Sequence, residues 1–291
     1  MKQLLILSGK GGTGKTTIAS AFIKLAAAKA YADCDVDAPN LHLIMGWTSE
    51  PERSDYCGLP QAVIDPDLCT ACDLCRQHCR FDAIETGDVY RVQPFSCEGC
   101  GVCEYVCPAG AARMIPAVAG ELMLYRDSGQ VFSTAQLAMG SGTSGLLVTE
   151  VKKQMKSGAG DVDLAIIDGS PGIGCPVIAS LSGVDMVLIV AEPSVSGISD
   201  MERIIRTAAA FEVEAVVCVN KSDTNLSNTK KIEAFCAEHG LPFVGNIPFD
   251  PRAVEAINDG KTVVDIECIS GTAVRSVYKE TMKLLLEEEV N

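Results

Sequence analysis

The sequence predicts an α/β protein: a mostly parallel sheet covered by helices on both faces, interrupted by a smaller, cysteine-rich α+β insert. An apolar N-terminal strand leads through a glycine loop into an amphipathic helix. From residue 163 onward, apolar strands alternate with helical patterns. Between these regions stand eight cysteines in two copies of one spacing. With 291 residues the chain can bury one large core or two unequal ones.

The first element is the strand Lys2 to Ser8, with the apolar run Leu4 to Leu7 at its centre. Gly9-Lys10-Gly11-Gly12-Thr13-Gly14-Lys15-Thr16-Thr17 follows, then a helix patterned by Ile18, Phe22 and Leu25. Strand, glycine loop and helix in that order form the context of a phosphate-binding P-loop. Glycines let the backbone N–H groups of residues 11–17 converge on phosphate oxygens, and the helix N-terminus adds its positive dipole end. Lys15 is placed to reach the β- and γ-phosphates, and the Thr16 hydroxyl to ligate Mg²⁺.

The second element is the cysteine array: Cys69-x2-Cys72-x2-Cys75-x3-Cys79, then Cys97-x2-Cys100-x2-Cys103-x3-Cys107-Pro108. Three thiolates on a tight loop suit three irons of a 4Fe–4S cube, with a fourth ligand arriving from further along the chain. Zinc ribbons also use paired Cys-x2-Cys, but they have no use for a third cysteine at the same step. The duplicated pattern resembles the two-cluster bacterial ferredoxins, in which the fourth cysteine of each run ligates the other cluster. That resemblance assigns Cys69, Cys72, Cys75 and Cys107 to one cube, and Cys97, Cys100, Cys103 and Cys79 to the other. The insert is expected to span residues 58–115, dividing a P-loop domain made of residues 1–57 and 116–291.

The later elements alternate. Strands are expected at Asp163–Asp168, Met186–Ala191, Ala215–Val219 and Phe243–Gly245, and helices at Asp200–Phe211, Asn228–Glu238 and Thr272–Glu289. A parallel sheet of this kind binds its ligands at the carboxyl ends of its strands, where the motifs fall. Gly140 to Gly145, a glycine–serine run, reads as a flexible linker or a mobile element near the nucleotide.

Lys10 narrows the family. The form Lys10-Gly11-Gly12-x-Gly14-Lys15-Thr16-Thr17 resembles the deviant Walker A motif of the MinD/Mrp/ParA and nitrogenase-iron-protein superfamily of P-loop ATPases. The resemblance implies that Lys10 crosses an ATP-dependent dimer, either with itself or with a related ATPase, and stabilises the partner's phosphates. Asp33-Cys34-Asp35-Val36-Asp37 is similar to switch I, which gives Asp35 the attacking water and Asp33 a place around Mg²⁺. Asp168-Gly169-Ser170-Pro171-Gly172 is similar to Walker B with switch II, which gives Asp168 the Mg²⁺ and the Gly172 N–H the γ-phosphate. Asn220-Lys221-Ser222-Asp223 reads alone like a guanine-specificity motif. In the superfamily, however, the asparagine at this place contacts adenine, so ATP is expected and Asn220 is its base contact.

Composition sets limits on function. A formal net charge of −14 excludes the clustered basic surface that nucleic acid requires. No apolar run approaches a membrane span, and the acidic end Leu284 to Glu289 is unlike the basic lipid-docking tail of MinD. Fourteen cysteines without an export signal imply a reducing, cytoplasmic setting. Cys175, just past switch II, is expected to be structural, and Cys218 on a strand and Cys236 on a helix to be core residues.

Three functions fit these features. One is an ATPase coupling dimer switching to electron transfer through two 4Fe–4S clusters, with donor and acceptor proteins unnamed by the sequence. A second is an ATPase of iron–sulfur or other metal-cofactor assembly. The third is a non-catalytic scaffold sensing redox and nucleotide state.

Overall fold

The computed structural model describes residues 1–287. Glu288 and Glu289, part of the acidic end and of the expected last helix, lie outside the described residues. The chain begins with β1 (Lys2–Leu7), α1 (Lys15–Leu25), β2 (Ala30–Asp33), α2 (Leu41–Met45) and β3 (Glu52–Cys57). The cysteine-rich segment then contributes β4 (Gln61–Ile64), α3 (Leu74–Gln77), β5 (Ile84–Glu85), β6 (Arg91–Val92), α4 (Val102–Val106) and β7 (Ala112–Ile115). An antiparallel pair, β8 (Val118–Asp127) and β9 (Gln130–Leu137), leads into α5 (Ser144–Gly158). There follow β10 (Leu164–Asp168), α6 (Cys175–Leu181), β11 (Met186–Ala191), α7 (Val195–Ala210) and β12 (Glu214–Asn220). The chain closes with α8 (Leu226–Glu238), β13 (Phe243–Ile247), α9 (Pro251–Asn258) and α10 (Ile269–Glu287).

Nine strands pair in the order β13-β12-β11-β1-β10-β2-β9-β8-β3. All are parallel except the β9-β8-β3 edge, where the chain doubles back. Strand β1 lies inside the sheet between β11 and β10, and its apolar run is buried on both faces, as an interior parallel strand must be. Leu5 and Leu7 face the layer of α5 to α8, while Leu4 and Ile6 face that of α1, α2 and α10. The chain leaves β1 through α1 towards β2, and leaves β10 through α6 towards β11 on the other side. Crossovers diverging in this way open a crevice at the carboxyl ends of β1, β10 and β2.

The cysteine-rich segment stands apart from that sheet. Strands β3 and β8 belong to the large sheet, whereas β4 pairs with β7 and β5 with β6 in two small antiparallel sheets. The hairpin β8–β9, for which the sequence reading named no element, is closed by Ser128 and Gly129, both with positive φ. Helix α7 starts at Val195, five residues before the expected Asp200, because the Ser194 hydroxyl caps it by accepting the Gly197 N–H at 3.1 Å. Trp47 packs in an aromatic cluster with Tyr31, Tyr125 and Phe132.

One buried lysine ties two helices together. Lys152 of α5 donates to the carbonyls of Ser180 and Ser182, each at 2.6 Å, at the end of α6. Burial pulls its ammonium down to about 8. Lys152→Met fills the same space and leaves those carbonyls without a charged donor, so a loss of about 2 kcal/mol is expected. A lower urea midpoint at unchanged slope is the measurement that checks it.

Candidate nucleotide-binding site and cysteine cavities

The glycine loop has the geometry its sequence demands. Gly14 caps α1 in the left-handed conformation (φ 91°), and a Cβ there would stand 2.3 Å from the Asn220 amide nitrogen. Neither the conformation nor the space admits a side chain. That amide donates to the Thr13 carbonyl at 2.6 Å, so β12 braces the loop from behind. The Thr13 hydroxyl is buried and has no partner. Gly11 and Gly12 are exposed at the mouth of the crevice, with Thr16 and Thr17 half-buried on the first turn of α1.

Behind the loop lies a charged cluster. Lys15 Nζ meets Asp168 Oδ1 at 2.6 Å, with both side chains buried. Burial alone would lower the lysine's pKa, but Asp168 and then Asp33 overcome it and raise it. Asp168 Oδ2 is buried without a hydrogen-bond partner. Burial, reinforced by the charge of Asp168, pushes the Asp33 carboxyl up to about 7. Asp33 also accepts three backbone N–H groups, from Asp35, Asn40 and Leu41, each at 3.0 Å. One carboxylate thereby shapes the whole turn that presents Asp35, whose own carboxyl burial raises, with Lys15 opposing. The unpaired Asp168 oxygen, Asp33 and the Thr16 hydroxyl make a hard oxygen donor set of the type that Mg²⁺ takes.

The switch II turn is bound to the loop strand. The Gly172 N–H donates to the Ser8 carbonyl at 3.0 Å, so contact with a phosphate requires it to leave Ser8. The Ser170 hydroxyl donates to the Cys34 carbonyl, joining switch II to switch I. Lys10 is held within its own chain: Nζ lies 2.5 Å from Glu192 Oε2 and donates to Ser194 Oγ at 3.3 Å. Lys221 shares that carboxylate at 3.3 Å and donates to the Gly12 carbonyl at 2.8 Å. Hydrogen bonding from Lys10 holds the Glu192 carboxyl below the usual range. Sequence reading missed Glu192, because a single glutamate at a strand end carries no signal of its own.

Beside the loop opens a cavity of about 260 Å³, lined by Gly12, Gly14, Thr17, Asn220, Pro248 and Phe249 among others. It is large enough for a purine and bounded on one side by apolar groups. Asp223, which a guanine-reading motif would aim at the base, accepts the Phe249 N–H at 2.7 Å and is not among the lining residues. Asn220 lines the cavity, but its amide is committed to Thr13 and its oxygen accepts the Lys221 N–H at 3.0 Å.

The cysteines line two separate cavities. One is bordered by Cys69, Cys72, Cys75 and Cys107, together with Ile64, Tyr90 and small alanines. The other is bordered by Cys79, Cys97, Cys100 and Cys103, together with Ala62, Phe81 and Ile84. Each cavity takes three cysteines from one run and the last cysteine of the other. Among the described residues, no three Cys, His, Asp or Glu side chains gather as a single metal ion demands. Of the remaining cysteines, Cys34, Cys218, Cys236 and Cys268 are buried, while Cys57 and Cys175 are exposed.

The family model of the CobQ/CobB/MinD/ParA nucleotide binding domain matches residues 4–263. The chain belongs to this family. Its relatives include an uncharacterised protein of Methanocaldococcus jannaschii, 33% identical over 84% of this chain and 86% of that one. The iron-sulfur cluster carrier protein of the same organism is 22% identical over 97% of this chain and 84% of its own length. Among solved structures, the septum site-determining protein MinD of Pyrococcus horikoshii, complexed with Mg-ADP, superposes with a TM-score of 0.59. That match is 19% identical and covers 100% of this chain and 99% of the other. The α/β nucleotide-binding ATPase fold is therefore that of the MinD/ParA family. Within this fold Asp33 and Asp168 lie side by side at the ends of β2 and β10 behind the glycine loop, and the cavity beside Asn220 borders that loop. Among the described residues no helix is long and apolar enough to cross a membrane.

Proposed function

We propose that the protein is an ATP-hydrolysing, dimer-forming switch of iron–sulfur assembly that carries two resident 4Fe–4S clusters in residues 58–115. The observation that carries this reading is the division of the eight cysteines between two cavities, each lined by four of them. Two cavities with four thiols each, walled by apolar and small residues, fit a cube with four iron corners, and a zinc ribbon has no use for such a division. Relatives named as iron–sulfur cluster carriers favour assembly over electron delivery as the process served.

In the nucleotide site, the backbone N–H groups of residues 11–17 and Lys15 receive the phosphates of ATP, and the Asn220 face of the cavity receives the base. Thr16, Asp33 and Asp168 would hold Mg²⁺, which neutralises phosphate charge when bound. Asp35, presented by the turn that Asp33 organises, orients the attacking water. Lys10 leaves Glu192 to meet the phosphates of a second copy or of a related ATPase. The clusters, when bound, supply one-electron redox centres. Ligands drawn from both runs of the insert would hold them as fixtures, which favours a supply of electrons to assembly over service as cargo. Electron transfer to an acceptor outside assembly is the second reading, favoured by the same fixed ligand sets.

Anaerobically purified protein is expected to contain about eight irons and eight sulfides per chain. Cys72→Ser should lose or convert one cluster and spare the other. Zinc, or a single cluster, would defeat the assignment. Incubation with an apo iron–sulfur acceptor and Mg-ATP separates the roles: iron that stays on the protein marks fixed clusters, and iron that moves to the acceptor marks cargo.

A further inference from the structure

The segment from Gln136 through the glycine–serine run of residues 140–145 reaches switch I, the start of α6 and the second cysteine run. Thr143 is buried within it, while Gly140 and Gly142 stay exposed. Just before the glycine–serine run, the Leu137 N–H donates to the Val36 carbonyl at 2.9 Å, and the Gln136 amide to the Asp37 carbonyl at 3.2 Å. Those two carbonyls follow Asp35 in switch I. At the other end, a Cβ on Gly145 would stand 3.1 Å from both the Cβ and the carbonyl oxygen of Cys175, the first residue of α6 after switch II. Lys152 clamps the far end of α6 to α5, so the helix after switch II and the helix after this run form one unit.

The middle of the run meets the insert. Gly140 (φ +82°) lies under the Phe95 ring, where a Cβ would come within 3.2 Å of Cδ1. The Glu98 carboxylate stands 4.0 Å from the Cβ position of Gly142. Phe95 is two residues before Cys97, and Glu98 lies between Cys97 and Cys100 and lines their cavity. Thr143 packs against Gly58 at the root of the insert, its hydroxyl 2.9 Å from that Cβ position. These contacts with the insert fall on its root and on the second cysteine run.

We infer that residues 136–145 are a strut through which switch I and switch II set the position of the Cys97–Cys103 loop, and with it the surroundings of the second cysteine quartet alone. The hydrogen bonds to switch I, the approach of Gly145 to Cys175 and the seat of Gly140 under the exposed Phe95 ring give a displacement a continuous path to follow. Glycine at 140 and 145 allows the approach, and the Phe95 ring is the far end of the strut. The inference rests on the ATP-switch reading above.

Hydrogen–deuterium exchange on the full-length, cluster-loaded protein tests it, at a concentration where sedimentation shows a monomer. Saturation with Mg-ATP or a non-hydrolysable analogue, compared with Mg-ADP and no nucleotide, should change exchange severalfold in residues 136–145 and 94–101 and leave 69–76 unchanged. Phe95→Ala, at an exposed position, should keep nucleotide affinity and the response of 136–145 while losing that of 94–101. Phe95→Tyr should restore it. The strut is overturned if 94–101 is indifferent to saturating nucleotide, if both cysteine loops respond alike, or if Phe95→Ala responds as the parent does. Failure to bind nucleotide at all would overturn the ATP-switch reading, and the strut with it.

Discussion

Lys15→Ala is expected to abolish tight Mg-ATP binding, with an affinity loss of about a hundredfold or more. A charge-assisted contact to phosphate is worth about 3 kcal/mol, and each 1.4 kcal/mol is about tenfold in affinity. The same substitution should destabilise the protein without nucleotide, because it strips the cation from two buried carboxylates. Breaking a buried pair from one side costs about 3–5 kcal/mol. The pH dependence separates this effect from a general packing defect. Asp33 already holds its proton up to about pH 7 in the folded chain, against an ordinary value of 3.8. Between those values the folded state binds more protons than the unfolded state, so this group's contribution to stability falls as pH rises through the window. Removing Lys15 widens the window upward. The variant should therefore recover part of its loss when moved from pH 8 to pH 6. Isothermal titration of Mg-ATP and urea midpoints at the two pH values check both halves, and near-parental affinity would remove Lys15 from the phosphate site.

The sequence was most legible where chemistry or burial leaves little choice. Strand β11 runs over Met186–Ala191 as the apolar pattern predicts, because a strand buried on both faces is written as one apolar run. The glycine loop is equally plain, since only strand, loop and helix in that order bring backbone N–H groups together. The start of α7 was missed because Ser194, Ser196 and Gly197 read as loop residues, while their effect depends on one serine bonding across the first turn. The hairpin β8–β9 carried a signal that went unread: Asp127-Ser128-Gly129-Gln130 between two apolar–polar runs is a tight-turn pattern. Other features lie beyond any local reading. The pairing of Lys10 with Glu192 links residues far apart in sequence, as does the commitment of Asn220 to Thr13. Gly140 and Gly145 look in sequence like a flexible tether, and only the folded chain brings Gly140 under the exposed Phe95 ring and Gly145 close to Cys175.

Lys10→Ala and Asp35→Ala are expected to act in opposite directions on an ATP-dependent dimer. Lys10 is bound to Glu192 in the single chain, with its side chain about a third exposed. Half-exposed ion pairs contribute only about 0–1 kcal/mol, so leaving this one costs little. Glu192 does not become an orphan when Lys10 departs, because Lys221 remains on its other oxygen at 3.3 Å. On the proposed reading Lys10 is a cation parked on Glu192 beside the glycine loop, from which it can leave for a partner's site. Its removal should weaken the ATP-bound dimer and lower turnover by about a thousandfold, the scale of a charge supplied in trans to phosphoryl transfer. Asp35→Ala leaves the glycine loop and Lys15 in place and removes the group proposed to orient water, so it should slow hydrolysis and trap a long-lived ATP dimer. Sedimentation with ATP and with ADP, beside single-turnover hydrolysis, distinguishes the two variants. A third substitution tests the parking site: Glu192→Gln loosens Lys10 while keeping a polar partner for Lys221, and should favour the dimer modestly without slowing hydrolysis. If Lys10→Ala dimerises and turns over as the parent does, Lys10 serves only to pair with Glu192, and the crossing role implied by the deviant loop must be abandoned for this chain.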